Sequence, residues 1–117
     1  MANKFGAKKI IDPATGYEFD SKAEFIRWCE LRIMERSGLI SDLKRRVKYV
    51  LIPSQRDRTG KVIEKECSYY ADFVYMDRNG TQIVEDTKGY KKGAAYDLFV
   101  IKRKLFLQRY GIRIKET

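Results

Sequence analysis

The chain has 117 residues, room for one hydrophobic core but not two, and carries 25 Lys and Arg against 16 Asp and Glu, a formal charge of +9. That excess points to a polyanionic partner, and with no apolar run near the roughly 18 residues of a membrane span and no signal-peptide pattern, the expected class is a soluble cytoplasmic protein that meets nucleic acid. Histidine is absent and cysteine occurs only twice, which removes imidazole as ligand or general base and a zinc site built from cysteine alone, so any chemistry falls to carboxylates and lysine.

In chain order, residues 1–20 form a basic, glycine-containing arm with Lys4, Lys8 and Lys9. Its "DPATG" turn joins two short edge strands around Ile10–Ile11 and Tyr17–Phe19. A first helix follows. Ser21 is placed to cap it and Glu24 falls three positions on, a capping-box spacing. Phe25, Trp28, Cys29, Leu31 and Ile33 form its apolar stripe, and Gly38 ends it. Cys29 and Cys67 are expected as buried or partly buried free thiols. "ISDLKRR" reads as a polar bridge to a strand over 47–53, and "SQRDRTGKVIEK" as a mobile turn, a hairpin connection reaching into the strand that holds Tyr69 to Tyr75. After "GYKKGAA", a glycine-flanked basic loop, a second helix is predicted from about Ala94 to Tyr110. Leu98, Ile101, Leu105 and Phe106 face its core, with Phe99 and Tyr110 at the margin. "IRIKE" supplies a last strand. The order α-β-β-β-α-β describes one α/β domain over 1–117, a mixed sheet flanked by helices.

The stretch "YADFVYMDRNGTQIVEDTKG" is a hairpin with acids in both arms. Asp77-Arg78-Asn79-Gly80 provides the turn, and if Asp77 faces Thr81, Asp72 sits opposite Asp86. Opposed side chains have Cβ atoms about 4.5–5.5 Å apart, where like charges destabilise a sheet. A divalent cation turns such a pair into a site, and oxygen-only donors suit Mg²⁺ or Mn²⁺. Alternation puts Lys88 on the Asp86 face, placed to orient a nucleophile or balance charge, and the Thr87 carbonyl is a further ligand of suitable hardness. Glu85 points to the other face. The plainer alternative makes both aspartates ordinary surface salt-bridge partners.

These residues carry a resemblance. "YADFVY…IVEDTKG" resembles the PD-(D/E)XK nuclease superfamily, and "NKFGAKK", "FDSKAE", "LISDL", "VEDTKG", "IKRKLF" and "YGI" resemble, in order, a family of small phage and prophage proteins within it whose function is unknown. The resemblance implies a restriction-endonuclease-like core, Asp72 and Asp86 as metal ligands, Lys88 as the catalytic lysine, and Glu24 completing the acidic cluster. From the residues alone, Glu24 equally closes the capping box of the first helix. Two departures are visible: Ala71 stands where the superfamily's name has proline, and Arg46 where relatives often carry glutamine.

Lys91 and Lys92 on the basic loop, Lys102 and Arg103 on the second helix, and Arg46 and Lys48 are the candidate phosphate contacts, with Tyr90 and Tyr96 available to sugars or bases. The reading is a metal-dependent endodeoxyribonuclease acting in a bacterial host. By analogy with small phage resolvases it works on branched DNA such as Holliday junctions, for which two active sites and hence a homodimer are expected. The alternative is a non-catalytic basic module that binds nucleic acid on a degenerate nuclease fold.

Overall fold

In the computed structural model, residues 9–117 are described; Lys4, Lys8 and the rest of the arm up to residue 8 lie outside them. The elements are β1 (Ile10–Ile11), β2 (Glu18–Phe19), α1 (Lys22–Arg36), β3 (Ser41–Ile52), β4 (Gln55–Arg56), β5 (Val62–Glu64), β6 (Cys67–Met76), β7 (Gln82–Asp86), α2 (Ala94–Tyr110) and β8 (Lys115–Glu116). A four-stranded sheet in the order β3-β6-β7-β8 forms the centre, antiparallel except for the parallel β7–β8 pair. The fold is therefore α/β with a mixed sheet, and α1-β3-β6-β7-α2-β8 follows the predicted order. β1–β2 and β4–β5 are separate two-stranded ribbons.

Two core clusters hold the helices. One joins α1 to the sheet through Trp28, Leu31, Phe73 and Tyr75, with Phe19 and Ile40. The other joins α2 through Phe99 and Phe106 to Tyr69, Ala71, Val74, Val84 and Ile114. On β6, Tyr69 and Ala71 thus belong to the α2 cluster, whereas Phe73 and Tyr75 belong to the α1 cluster. β3 behaves alike, with Val47 and Tyr49 against one cluster and Leu43 against the other. The strand pair turns over between Arg45–Phe73 and Val47–Ala71, where Arg46 adopts a left-handed φ of 53°. Non-glycine residues rarely take that conformation, and it breaks simple alternation at the step that holds Asp72.

Both helix ends of α1 follow their sequence signals. Ser21 Oγ accepts from the Glu24 N–H at 3.1 Å. At the other end Leu39 N–H donates to Met34 O and Gly38 N–H to Glu35 O, with Gly38 at φ 81°, the paired bonds of a Schellman cap.

Three expectations need correction. "SDLKRR" is strand, the first half of β3. Its polarity hides this because Arg45 takes an inward position by laying its guanidinium over Tyr17 and Phe19, 4.9 and 4.4 Å from the ring centres. On α1 the buried face is Glu24, Trp28 and Leu31; Ile33 and Cys29 lie on the far side of the helix and are exposed, so Cys29 is not a buried thiol, while Cys67 is half-buried. On α2 Leu98 and Ile101 are exposed. The aromatic residues set that helix's phase instead: Phe106 lies 4.9 Å from Tyr49 and 5.6 Å from Tyr69, a larger apolar surface than the competing leucine stripe offers. Residues 55–64, expected as a hairpin connection, form the antiparallel β4–β5 ribbon, closed by Asp57, whose Oδ1 accepts from Thr59 and Lys61 N–H.

Candidate active site

The hairpin keeps the register inferred from its turn. Asp77 N–H donates to Thr81 O, and the pairs Met76–Gln82, Tyr75–Ile83, Val74–Val84 and Phe73–Glu85 follow. One step further come Asp72 and Asp86. Here the strands make a side-chain contact: Thr87 N–H donates to Asp72 Oδ2 at 2.8 Å. β8 braces this segment from the other edge, with Thr117 N–H donating to Asp86 O and Lys88 N–H to Thr117 O, each at 2.9 Å.

Asp72, Asp86, Lys88 and Glu24 all line one pocket of about 380 Å³, together with Lys102. Both oxygens of Asp86 are engaged: Tyr69 OH donates to Oδ2 at 2.6 Å, and Lys88 Nζ stands 2.8 Å from Oδ1. Lys88 also lies 4.0 Å from the Phe99 ring centre, so α2 helps to aim it. Burial, then the charge of Asp86, pushes the Asp72 carboxyl up to about 7, against the lowering effect of the Thr87 N–H. Glu24 is 6% exposed, and its carboxyl is raised by burial and by Asp20. The cap at Ser21 uses only the Glu24 backbone N–H; the carboxyl, which would close a capping box by accepting from the Ser21 N–H, lines the pocket instead.

The basic candidates separate. Lys102 reaches the pocket. Arg46 donates to Glu18 O at 2.8 Å and lies 3.9 Å from Asp20, itself a pocket residue. Lys48 pairs with Glu66 at 2.6 Å. Arg103 and Lys91 both turn to Glu116, at 3.0 and 3.8 Å, where Tyr96 OH also donates. Lys92 is exposed. Sequence reasoning missed Tyr69, which orients Asp86, and Tyr70 and Leu98, which line the pocket. "SYYADF" contains no periodic signal that separates a buried tyrosine from an exposed one.

A family model described as "Protein of unknown function (DUF1064)" matches residues 2–116. The chain belongs to this family. No curated protein and no solved structure matches it. The matched stretch of this DUF1064 protein runs through every element from β1 to β8 and so includes every residue of the pocket.

The donor set can be tested against a hard divalent cation. All available ligands are oxygens, which suits Mg²⁺ or Mn²⁺. Among the described residues no three acidic, imidazole or thiol groups are gathered closely enough to hold an ion by themselves. The Thr87 carbonyl would therefore have to serve as third donor. Lys88 would have to leave Asp86 Oδ1, a short movement for a lysine head that is also held over a ring. With those two conditions the residues fit.

Proposed function

We propose that this DUF1064 protein is a metal-dependent endonuclease that hydrolyses DNA phosphodiester bonds, on a core of the restriction-endonuclease-like, PD-(D/E)XK kind. One observation carries the reading: Glu24 from α1, Asp72 from β6, and Asp86 and Lys88 from the end of β7 line a single pocket, with Lys102 of α2 on its wall. The net charge of +9 suits a polyanionic substrate around that acidic centre.

Asp72, Asp86 and the Thr87 carbonyl would hold Mg²⁺ or Mn²⁺, with Glu24 as an outer member of the set. When bound, such an ion supplies Lewis-acid polarisation of the phosphate. The chain's own groups do the rest. Tyr69 fixes the Asp86 carboxylate through Oδ2, and the Thr87 N–H fixes Asp72 through its Oδ2. Lys88, released from Asp86, brings an ammonium to the charge that develops on the phosphate oxygens. Lys102 draws the backbone into the pocket. A branched substrate and a homodimer that offers two such pockets extend the reading, as does action within a bacterial cytoplasm during phage growth. No helix of the described chain is long and apolar enough to cross a membrane.

The test is incubation with supercoiled plasmid in Mg²⁺ or Mn²⁺, and then with EDTA; nicking that appears with metal and stops with chelator supports the enzyme. A panel of linear duplex, single strand, flap and four-way junction then ranks substrates. The second reading, a binding module, is favoured by the closed Lys88–Asp86 ion pair, which occupies one carboxylate oxygen of the site with the chain's own ammonium. DNA retention without cleavage in either metal would select it.

A further inference from the structure

The pocket has a mouth as well as a floor. Along β6 the residues from Tyr69 to Tyr75 are buried or half-buried with one exception: Tyr70 is 58% exposed. It lies two residues from Asp72 on the same strand, which sets their Cα atoms about 7 Å apart, and it lines the same pocket. Across the pocket, α2 contributes Leu98, 54% exposed although its helix has an apolar core to join. An aromatic ring and a leucine, each left in water beside half-buried Asp72 and buried Asp86, would stabilise the fold more if they were covered. Among the described residues the Tyr70 hydroxyl has no hydrogen-bond partner and Leu98 joins neither core cluster. Tyr96, by contrast, is tied to Glu116.

We propose that Tyr70 and Leu98 form a nucleobase subsite, a stacking platform that takes an unpaired base next to the Asp72–Asp86 pair. The inference rests on the nuclease reading for the identity of the polymer and goes beyond it by naming the substrate class. In an intact duplex the base faces are covered by their neighbours, so Tyr70 gains nothing there unless a step is unstacked, at a cost of a few kcal/mol. A single strand, a flap or the unpaired arm of a branch presents the face without that cost. A tyrosine ring accepts any base, because every base has a π-face, so the subsite selects for unpaired structure and not for sequence. Lys102 on α2 lies one turn beyond Leu98, where it meets the backbone on the far side of the stacked base.

The experiment is a binding titration in EDTA, so that no cleavage is needed, using the full chain with a fluorescent single strand, the matching duplex and a duplex carrying an unpaired flap. Tyr70→Ala should weaken single-strand and flap binding by about 5- to 150-fold, the range of one lost base stack, and leave duplex binding within about twofold. Tyr70→Phe should restore the wild-type ratio, because the ring and not the hydroxyl does the stacking. The salt dependence should stay unchanged in both variants, since no phosphate contact is removed. Leu98→Ala should shift the ratio in the same direction by less. Equal losses on all three ligands, or none on any, would overturn the subsite. If plasmid cleavage fails while the Tyr70-dependent ratio holds, the nuclease reading falls and the subsite stands. If cleavage succeeds and the ratio is flat, the reverse is true.

Discussion

Glu85 and Asp86 are neighbours on β7, both acidic and both buried, yet they face opposite sides of the sheet and meet opposite treatment. Glu85 points to α1, where Arg27 donates twice, Nε to Oε1 at 2.8 Å and an amino group to Oε2 at 2.7 Å, and Tyr75 OH adds a third bond. Burial alone would raise its carboxyl, but the Arg27 and Tyr75 hydrogen bonds outweigh it and hold the group below the usual carboxylate range. Asp86 points to the pocket and shares it with Asp72, whose carboxyl is raised to about 7. On one face the chain supplies a guanidinium for a buried carboxylate. On the other it gathers two carboxylates around a single lysine. A fold that can satisfy an acid so fully one residue away makes the pocket's shortage of positive charge a property of the pocket, not of the sheet.

The largest expected effects test that division of labour. Alanine at Asp72, Asp86 or Lys88 should abolish metal-dependent nicking, a loss of three orders of magnitude or more, while plasmid binding persists. Cleavage at near wild-type rate by a folded Lys88→Ala or Asp86→Ala protein would remove the pocket from the chemistry. On the opposite face the same kind of change should act on stability. Arg27→Ala leaves Glu85 buried and unpaired, and should cost about 3–5 kcal/mol in urea unfolding. Measured below its midpoint, this variant should still cut DNA. A stable but inactive Arg27→Ala protein would mean that the two faces are not separate.

The pH dependence sharpens the contrast. The Glu85 carboxyl is lowered in the folded chain, so its contribution is present above the unfolded value near 4.5 and disappears as pH falls through the folded one. The Asp72 carboxyl is raised from 3.8 to about 7, so the sign reverses. The folded state keeps a proton that the unfolded chain releases, and stability declines as pH rises from about 4 to about 7. Asp72→Asn retains an acceptor for the Thr87 N–H and removes the charge. In EDTA at pH 8 it should raise stability by roughly 2 kcal/mol, with a flatter profile between about pH 4 and 7. Added Mg²⁺ should stabilise wild type by about 2.7 kcal/mol at a hundredfold excess over Kd and barely move the variant. A less stable Asp72→Asn in EDTA, with an equal response to metal, would show that the two aspartates do not share a cation.

How far this contrast was legible in the sequence differs by element. The hairpin register followed from Asp77-Arg78-Asn79-Gly80, because turn chemistry and alternation act locally, and it put Glu85 and Asp86 on opposite faces as observed. The caps of α1 were equally local. Three things were not visible. Arg46 takes a left-handed φ that no residue type announces, and β3 and β6 change faces there. The phase of α2 depended on which of two apolar stripes met the sheet, a tertiary choice that Tyr49 and Tyr69 decide. Nothing near Arg27 in the sequence marks it as the partner of Glu85, which lies 58 positions away in the chain.

The smallest effect separates the basic residues that reach the pocket from those that brace the fold. Lys102 lines the pocket, whereas Arg103, its neighbour in sequence, is bonded to Glu116 on β8, which also receives Tyr96. A helix turns about 100° per residue, so two adjacent cations on α2 serve different surfaces. Lys102→Ala should lower DNA affinity several-fold at 50 mM salt and reduce the slope of log K against log salt by about 1, the signature of one released counterion. Its melting temperature should not change. Arg103→Ala should do the opposite, lowering the melting point through the loss of a half-buried ion pair that holds β8, with the salt slope preserved. Because Thr117, next to Glu116, bonds the backbone of Asp86 and Lys88, that loosening should also reduce nicking at higher temperature before the chain unfolds. Matching salt slopes for the two variants would mean that both cations meet the nucleic acid, and the binding surface would then have to run across β8 as well as the pocket.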